Sequence, residues 1–213
     1  MAGLHRRATV CFVHFVFPFG AWGRKKQGNE MIQQQKYDRA AMALHWLIAA
    51  MMIFMIFFGE DLMGEGGEER VASTGSFLPS LHVSLGTAIF ALTIFRLIWR
   101  LMNPPPPLPA GMASWEITAA KITHGLFYVL TIGLPLTGWL AFPHFASEET
   151  ARSAVSIFGM TPVPAAPDLG LPARGLHAIG SKVGMALVIL HVLAALKHQF
   201  IYRDGLLMRM SPH

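Results

Sequence analysis

Charge is scarce in this chain of 213 residues. Asp, Glu, Lys and Arg make up 14% of it, where soluble domains carry about a quarter. Apolar residues take their place, at 53%, and they come in long runs. Together these exclude an ordinary soluble domain and mark a single integral membrane domain. Cysteine is scarcer still. The lone Cys11 excludes an internal disulfide, a cysteine-ligated iron–sulfur cluster and covalent haem attachment through Cys-x-x-Cys-His. Any redox group must therefore be held non-covalently by histidine. Acids are missing from the interior of the apolar runs, and no inverted repeat is visible. Both absences weigh against a transporter or metal-ion permease built on membrane histidines. The net charge of +5 reads as topology in a membrane chain, so no nucleic-acid partner is expected.

What the chain does contain is ten histidines, several inside apolar runs. In the stretch from Gly175 to Tyr202, His177, Gly184, His191 and His198 recur every seven residues. Seven residues make two helical turns, so the four share one stripe. The segment is long enough to cross a bilayer, and imidazole in hydrocarbon needs a partner, a cavity or a metal. His177 and His191 are separated by about 21 Å of helix at 1.5 Å per residue. That is too far for one metal, and it suits two stacked cofactors. Small residues on the same face, Gly180, Ser181, Gly184, Ala194 and Ala195, leave gaps for a flat macrocycle.

Three further spans precede this one, at about Tyr37 to Phe58, Pro79 to Met102 and Trp115 to Phe142. They carry His45, His82 and His124, with Gly86 one turn beyond His82. Asn103 and the prolines Pro104 to Pro107 stop the second. Pro135 kinks the third. The methionines, such as the MMIFM run of span one, read as packing. The fold class expected is an all-α membrane protein, a four-transmembrane-helix bundle enclosing two b-type haems. Residues 1–36 form an N-terminal extension, 37–202 the di-haem domain and 203–213 a tail. The extension's apolar run, Ala8 to Trp22, is short for a span, and it reads as a signal peptide or a surface-lying segment. Met31 opens a polar-to-helix sequence that reads as an alternative start.

Bases cluster in the N-terminal region, around Arg96, Arg100 and Lys121, and at Lys197, Arg203 and Arg209, while the first and third loops hold most of the acids: Glu60, Asp61, Glu65, Glu68 and Glu69 against Arg70, then Glu148, Glu149 and Asp168. The positive-inside rule then makes both termini cytoplasmic. Depth sorts the histidines into two levels, His45 with His191 inside and His82 with His177 outside. Bis-imidazole ligation leaves iron no open position for substrate and suits electron transfer. His124 and His198 compete for the inner level; His198, at the helix end, is expected to be wet, and His124 reads as a supporting or quinone-pocket group. His5, His14, His144 and His213 read as surface histidines. Arg39, Arg96 and Arg100 can neutralise inner haem propionates. On the acid-rich side, Arg174 and Lys182 beside His177 can bind outer propionates or attract a small anion.

The sequence resembles the bacterial cytochrome b561 family, inner-membrane di-haem proteins of four helices. The resemblance rests on LHWL around His45, LHVSLGTAIFALTIFRLIWRL around His82, the PPPP run and HGLFYVLTIGLPLTGW after Lys121. The His177–His191 spacing and the ending LKHQFIYRDGLLMRMSP complete it. It covers residues 37 to 212. It implies the same ligand pairs, His45 with His191 and His82 with His177, and electron transfer between an outer-face donor and the ubiquinone pool. Some members are superoxide oxidases, which would make the chain a superoxide:quinone oxidoreductase; otherwise it is an electron-transfer protein whose donor is a small molecule or a redox protein. A rival reading keeps the haems in a membrane-anchor subunit of a dehydrogenase or hydrogenase. Residues 1–36 and the long, proline-rich third loop depart from compact members of the family.

Overall fold

A computed structural model describes residues 36–63, 75–109, 111–145, 153–167, 169 and 171–211. The expectations for the N-terminal extension before Lys36, for Glu65, Glu68, Glu69 and Arg70 in the first loop, for Glu148, Glu149 and Asp168, for the His144 side chain and for His213 fall outside these residues. Four long helices dominate: α1 (Arg39–Met63), α2 (Phe77–Met102), α3 (Ser114–Phe145) and α4 (Leu171–Lys197). All four are long and apolar enough to cross a membrane. They run up and down, each packing on its sequence neighbour, and α4 closes more loosely on α1. Most large apolar side chains, Phe57, Ile179 and Phe200 among them, point outward. In a bilayer that face meets lipid tails, so the hydrophobic effect does not drive it inward.

Local chemistry sets the helix ends. Asp38 accepts the backbone N–H of Ala41 at 2.9 Å and that of the Trp99 indole at 3.0 Å. It therefore caps α1 and ties it to the end of α2. The helix consequently starts at Arg39 rather than Tyr37. It also runs through the exposed Glu60 and Asp61 to Met63, past the loop start expected at Gly59. Pro135 and Pro143 both lie inside α3 without ending it. The helix ends carrying Arg100, Lys121 and Lys197 lie at one end of the bundle, termed the basic end. The opposite end carries a small antiparallel hairpin, β1 (Ser156–Ile157) with β2 (Thr161–Pro162), inside a loop that showed no strand pattern.

Two packing features position the histidines. Ile48, Met52 and Ile89 form a buried layer in mid-bundle, with Met51, Met55, Leu92 and Leu134 around it. It lies between the level of His45 and that of His82. The basic end is tied shut by the chain terminus. After α4 a π-helical turn (His198–Tyr202) leads to Arg203, whose φ of +52° reverses the chain. Arg209 O then accepts from Tyr37 N at 3.1 Å, and Met210 O accepts from the Trp46 indole at 2.8 Å. Residues 203–211 thus fold back onto the start of α1. Lys197 pairs with the buried Glu116 at 3.1 Å and lies over the rings of Trp115 and Tyr202.

Candidate haem sites

The structure brings the histidines together in two groups. At the hairpin end, the rings of His82 on α2 and His177 on α4 face each other with centroids 6.1 Å apart. At the basic end, His45 on α1 and His191 on α4 have centroids 6.3 Å apart. His124 on α3 joins this second group, 5.7 Å from His191, and Phe127 packs edge-on against His191 at 5.4 Å. Arg96 lies within Coulombic range of His45, His124 and His191.

These spacings can be tested against an iron held between two imidazoles. Metal–imidazole bonds are about 2.0–2.1 Å and an imidazole nitrogen sits about 1.1 Å from its ring centre, so trans imidazoles have centroids roughly 6.2 Å apart. Both pairs fit. The hairpin-end pair has a further feature of a ligand site. His82 Nδ1 lies 3.1 Å from Gly59 O, and His177 Nδ1 lies 2.9 Å from Leu134 O. A carbonyl can only accept, so each Nδ1 carries the proton and each Nε2 is left as the free lone pair. This is how metal-binding imidazoles are usually fixed in tautomer and orientation. Among the described residues no group of three or more His, Cys, Asp or Glu could hold a bare metal ion. Pairwise ligation of a macrocycle-bound iron fits the donors present, and a zinc-type site does not.

The supporting groups were not legible as such. Leu134 O, Thr137 Oγ1 (3.4 Å from His177 Nδ1) and Gly138 lie on one stretch of α3. A Cβ at Gly138 would meet His177 Cε1 at 3.0 Å and Nδ1 at 3.2 Å. A Cβ at Gly59 would sit 3.6 Å from His82 Cε1. Their signal is the segment Leu134-Pro135-Leu136-Thr137-Gly138, which combines a kink, a hydroxyl and a gap one turn apart. Of the small residues on α4, Gly180 abuts Leu134 and Gly184 abuts Leu130, so both are spaces for α3 side chains. Gly86 has open space where a Cβ would be.

His198 differs from expectation. It is buried at 6% exposure and its Nδ1 is 2.6 Å from Asp204 Oδ2. The chain reversal at Arg203 folds Asp204 back over it, so His198 is buried rather than wet. With a carboxylate on one nitrogen and Tyr202 against its ring, His198 belongs to the basic-end closure. Arg174 and Lys182 are both exposed on α4. Arg174 is three residues from His177, about 60° away around the helix, whereas Lys182 is five residues on and about 140° away at 100° per residue. Only Arg174 shares the His177 side. Near the basic end, a cavity of about 360 Å³ is lined by Tyr37, Arg96, Trp99, Arg100, Pro105 and Tyr128 among others.

Four membrane-spanning helices carry facing histidines at two levels, with the pair at the hairpin end oriented by backbone carbonyls; this is the architecture of a membrane cytochrome of the b type. Sequence comparison gives the family. A profile described as Prokaryotic cytochrome b561 matches residues 36–213, and the chain belongs to that family of electron-transfer membrane cytochromes with b-type haem. It is similar to a "Probable superoxide oxidase CybB" of Yersinia pestis, with 26% identity covering 84% of this chain and 97% of the relative. It is similar to "Cytochrome b561 homolog 2" of Escherichia coli strain K12 at 29%, covering 83% and 91%. It is also similar to "Cytochrome b562" of Cereibacter sphaeroides at 30%, covering 84% and 98%.

Proposed function

We propose that this cytochrome carries electrons across the cytoplasmic membrane of a bacterium through two b haems, from a donor at the hairpin end to ubiquinone. The observation that carries this is the pair of facing imidazoles at each level, 6.1 and 6.3 Å between centroids. His82 and His177 would hold one haem and His45 and His191 the other. Haems held by these residues would supply one-electron carriers at two depths. The positive-inside rule puts the basic end, with both termini, in the cytoplasm and the hairpin end outside.

The chain's own groups divide the remaining work. The carbonyls of Gly59 and Leu134 hold the protons on His82 and His177, which fixes the orientation of both rings. Arg174 presents positive charge at the outer end, on the His177 side, where it raises the local concentration of a small anion. Lys182 adds to that field from farther around the helix. Superoxide, the substrate in the name of the Yersinia relative, is an anion of this kind. At the basic end, Arg96, Arg100, Tyr37 and Tyr128 line the cavity and offer donors to a propionate or a quinone carbonyl.

The first test is a reduced-minus-oxidised spectrum of the purified protein with haem counted per chain. Two b haems are expected. One would mean that a histidine pair is misassigned, and none, with haem supplied during expression, would sink the proposal. The donor is tested separately. Charge reversal at Arg174 should slow superoxide-driven haem reduction about tenfold at low salt, and Lys182→Glu should slow it less. Both differences should shrink as ionic strength rises. Unchanged rates in both variants would remove the anion role.

A further inference from the structure

We propose that residues 155–163 form a hairpin that packs along α2 and seats its tip, Phe158 to Met160, in the interfacial layer of that leaflet, where headgroups meet acyl chains. The proposal rests on the four-span fold alone and is independent of the haems and the donor.

Depth is the first observation. The Ser156 N–H donates to Ser80 Oγ at 3.0 Å and the Phe158 N–H to Ser84 Oγ at 2.8 Å. Ser84 is one turn deeper than Ser80, so the hairpin descends as it runs toward its tip. Ser84 lies seven residues inside the helix from Phe77, about 10 Å at 1.5 Å per residue. The 26 residues of α2 span about 39 Å, against a hydrocarbon core of about 30 Å. The exposed Glu60 and Asp61 follow Gly59, whose carbonyl meets His82, so the boundary lies near the His82 level and the tip, at the level of Ser84 two residues deeper, sits at the interface.

Backbone satisfaction is the second. Irregular backbone at membrane depth is tolerated only where it is buried in protein or lines a water-filled cavity, so the exposed tip must stay within reach of headgroups and water. Here the serine hydroxyls take the two N–H groups on the α2 side. Ser84 Oγ also donates to Ser80 O at 2.6 Å, so its hydrogen is used and its lone pair is free for Phe158. The other edge pairs within the hairpin, Ser156 with Pro162 and Ile157 with Thr161, and Met160 N donates to Ile157 O at 3.0 Å. Val155, wholly buried, and Phe142 anchor the base, with Val83, Phe145 and Val163 around them. The Trp139 indole donates to Pro164 O at 2.9 Å.

The tip's chemistry is the third. From Ser153 to Pro167 there is no charged residue, unusual for a loop facing water. Phe158 is 54% and Met160 78% exposed. Phe158 has φ of +52° and Gly159 of +68°, the left-handed pair of a type I′ turn, where Asn or Gly is preferred. A bulky residue in that conformation is strained. In water Asn would serve the turn better. Phenylalanine is the better choice only where its ring enters an apolar phase.

The test uses the full chain with Cys11→Ser and Met160→Cys, spin-labelled and reconstituted in phosphatidylcholine vesicles. Retention of the haem spectrum serves as the check on folding. The label should be several-fold more accessible to oxygen than to a water-soluble nickel chelate. Phe158→Asn relieves the turn strain, yet in lipid it should move the label toward the chelate. Ser84→Ala, which orphans the Phe158 N–H, should do the same. A label dominated by the chelate in the parent would overturn the proposal in favour of a solvated loop. A label shielded from both reagents would overturn it in favour of a protein partner or a second copy.

Discussion

With two haems held as proposed, alanine at His177 should leave the protein with one, and His82→Ala should remove the same one. Changes to groups that merely orient a metal-binding imidazole cost about 10–100-fold in affinity, so loss of an axial imidazole should cost at least as much. Transmembrane electron flow should fall with it, because the remaining level cannot reach both faces. The His82→Ala/His177→Ala double variant should be no worse than either single one, since both residues serve one site and such effects do not add. His45→Ala and His191→Ala should remove the other haem, and combining His45→Ala with His177→Ala should remove both. His124→Ala is the discriminating control. Its ring is 5.7 Å from His191, against 6.3 Å for His45, so spacing alone does not separate the two. Retention of both haems in His124→Ala with loss of one in His45→Ala is the expected result, read by haem content and the reduced spectrum. The reverse would make His124 the partner of His191.

The parts of this protein that were legible are those written in side-chain periodicity. A seven-residue histidine repeat on α4 fixes a stripe, and matching depths on three other helices leave few ways to face it. Helix lengths and positive residues then bound the spans to within a few residues. The misses share a physical cause. Gly59 O and Leu134 O are backbone carbonyls, which carry no residue-type signal, and their role shows only once α1 and α3 are packed against α2 and α4. The burial of His198 depends on a left-handed Arg203 and on Gly205 at φ of +70°, which swing Asp204 back over the helix end. In sequence, His198 stood at the end of the apolar span and so read as wet. Strands of two residues are too short to show alternation, so the hairpin left no trace beyond its missing charge. Lys182 looked adjacent to His177 along the chain, but the 100° step of the helix carries it to another side.

Gly138 offers the largest effect available without touching a ligand. Its missing side chain is what lets the His177 ring sit against α3, since a Cβ there would come within 3.0 Å of Cε1 and 3.2 Å of Nδ1. The ring cannot simply tilt away, because Nδ1 is held by Leu134 O at 2.9 Å, with Thr137 Oγ1 at 3.4 Å. Alanine should therefore push the ring by a few tenths of an ångström, stretch that hydrogen bond and shift the midpoint potential of the haem proposed at His177, with the haem proposed at the basic end unchanged. Valine puts branched methyls where the ring itself lies, and it should reduce haem content toward one per chain. The expected order is Gly, then Ala, then Val, measured by redox titration and haem count. Gly175→Ala on α4 is the matched control: its Cβ would meet nothing within 4 Å, and it should leave both potentials in place while favouring the helix by up to about 1 kcal/mol. Equal effects at Gly138 and Gly175, or a shift confined to the basic-end haem, would show that the close approach of Gly138 to His177 does not govern the outer site.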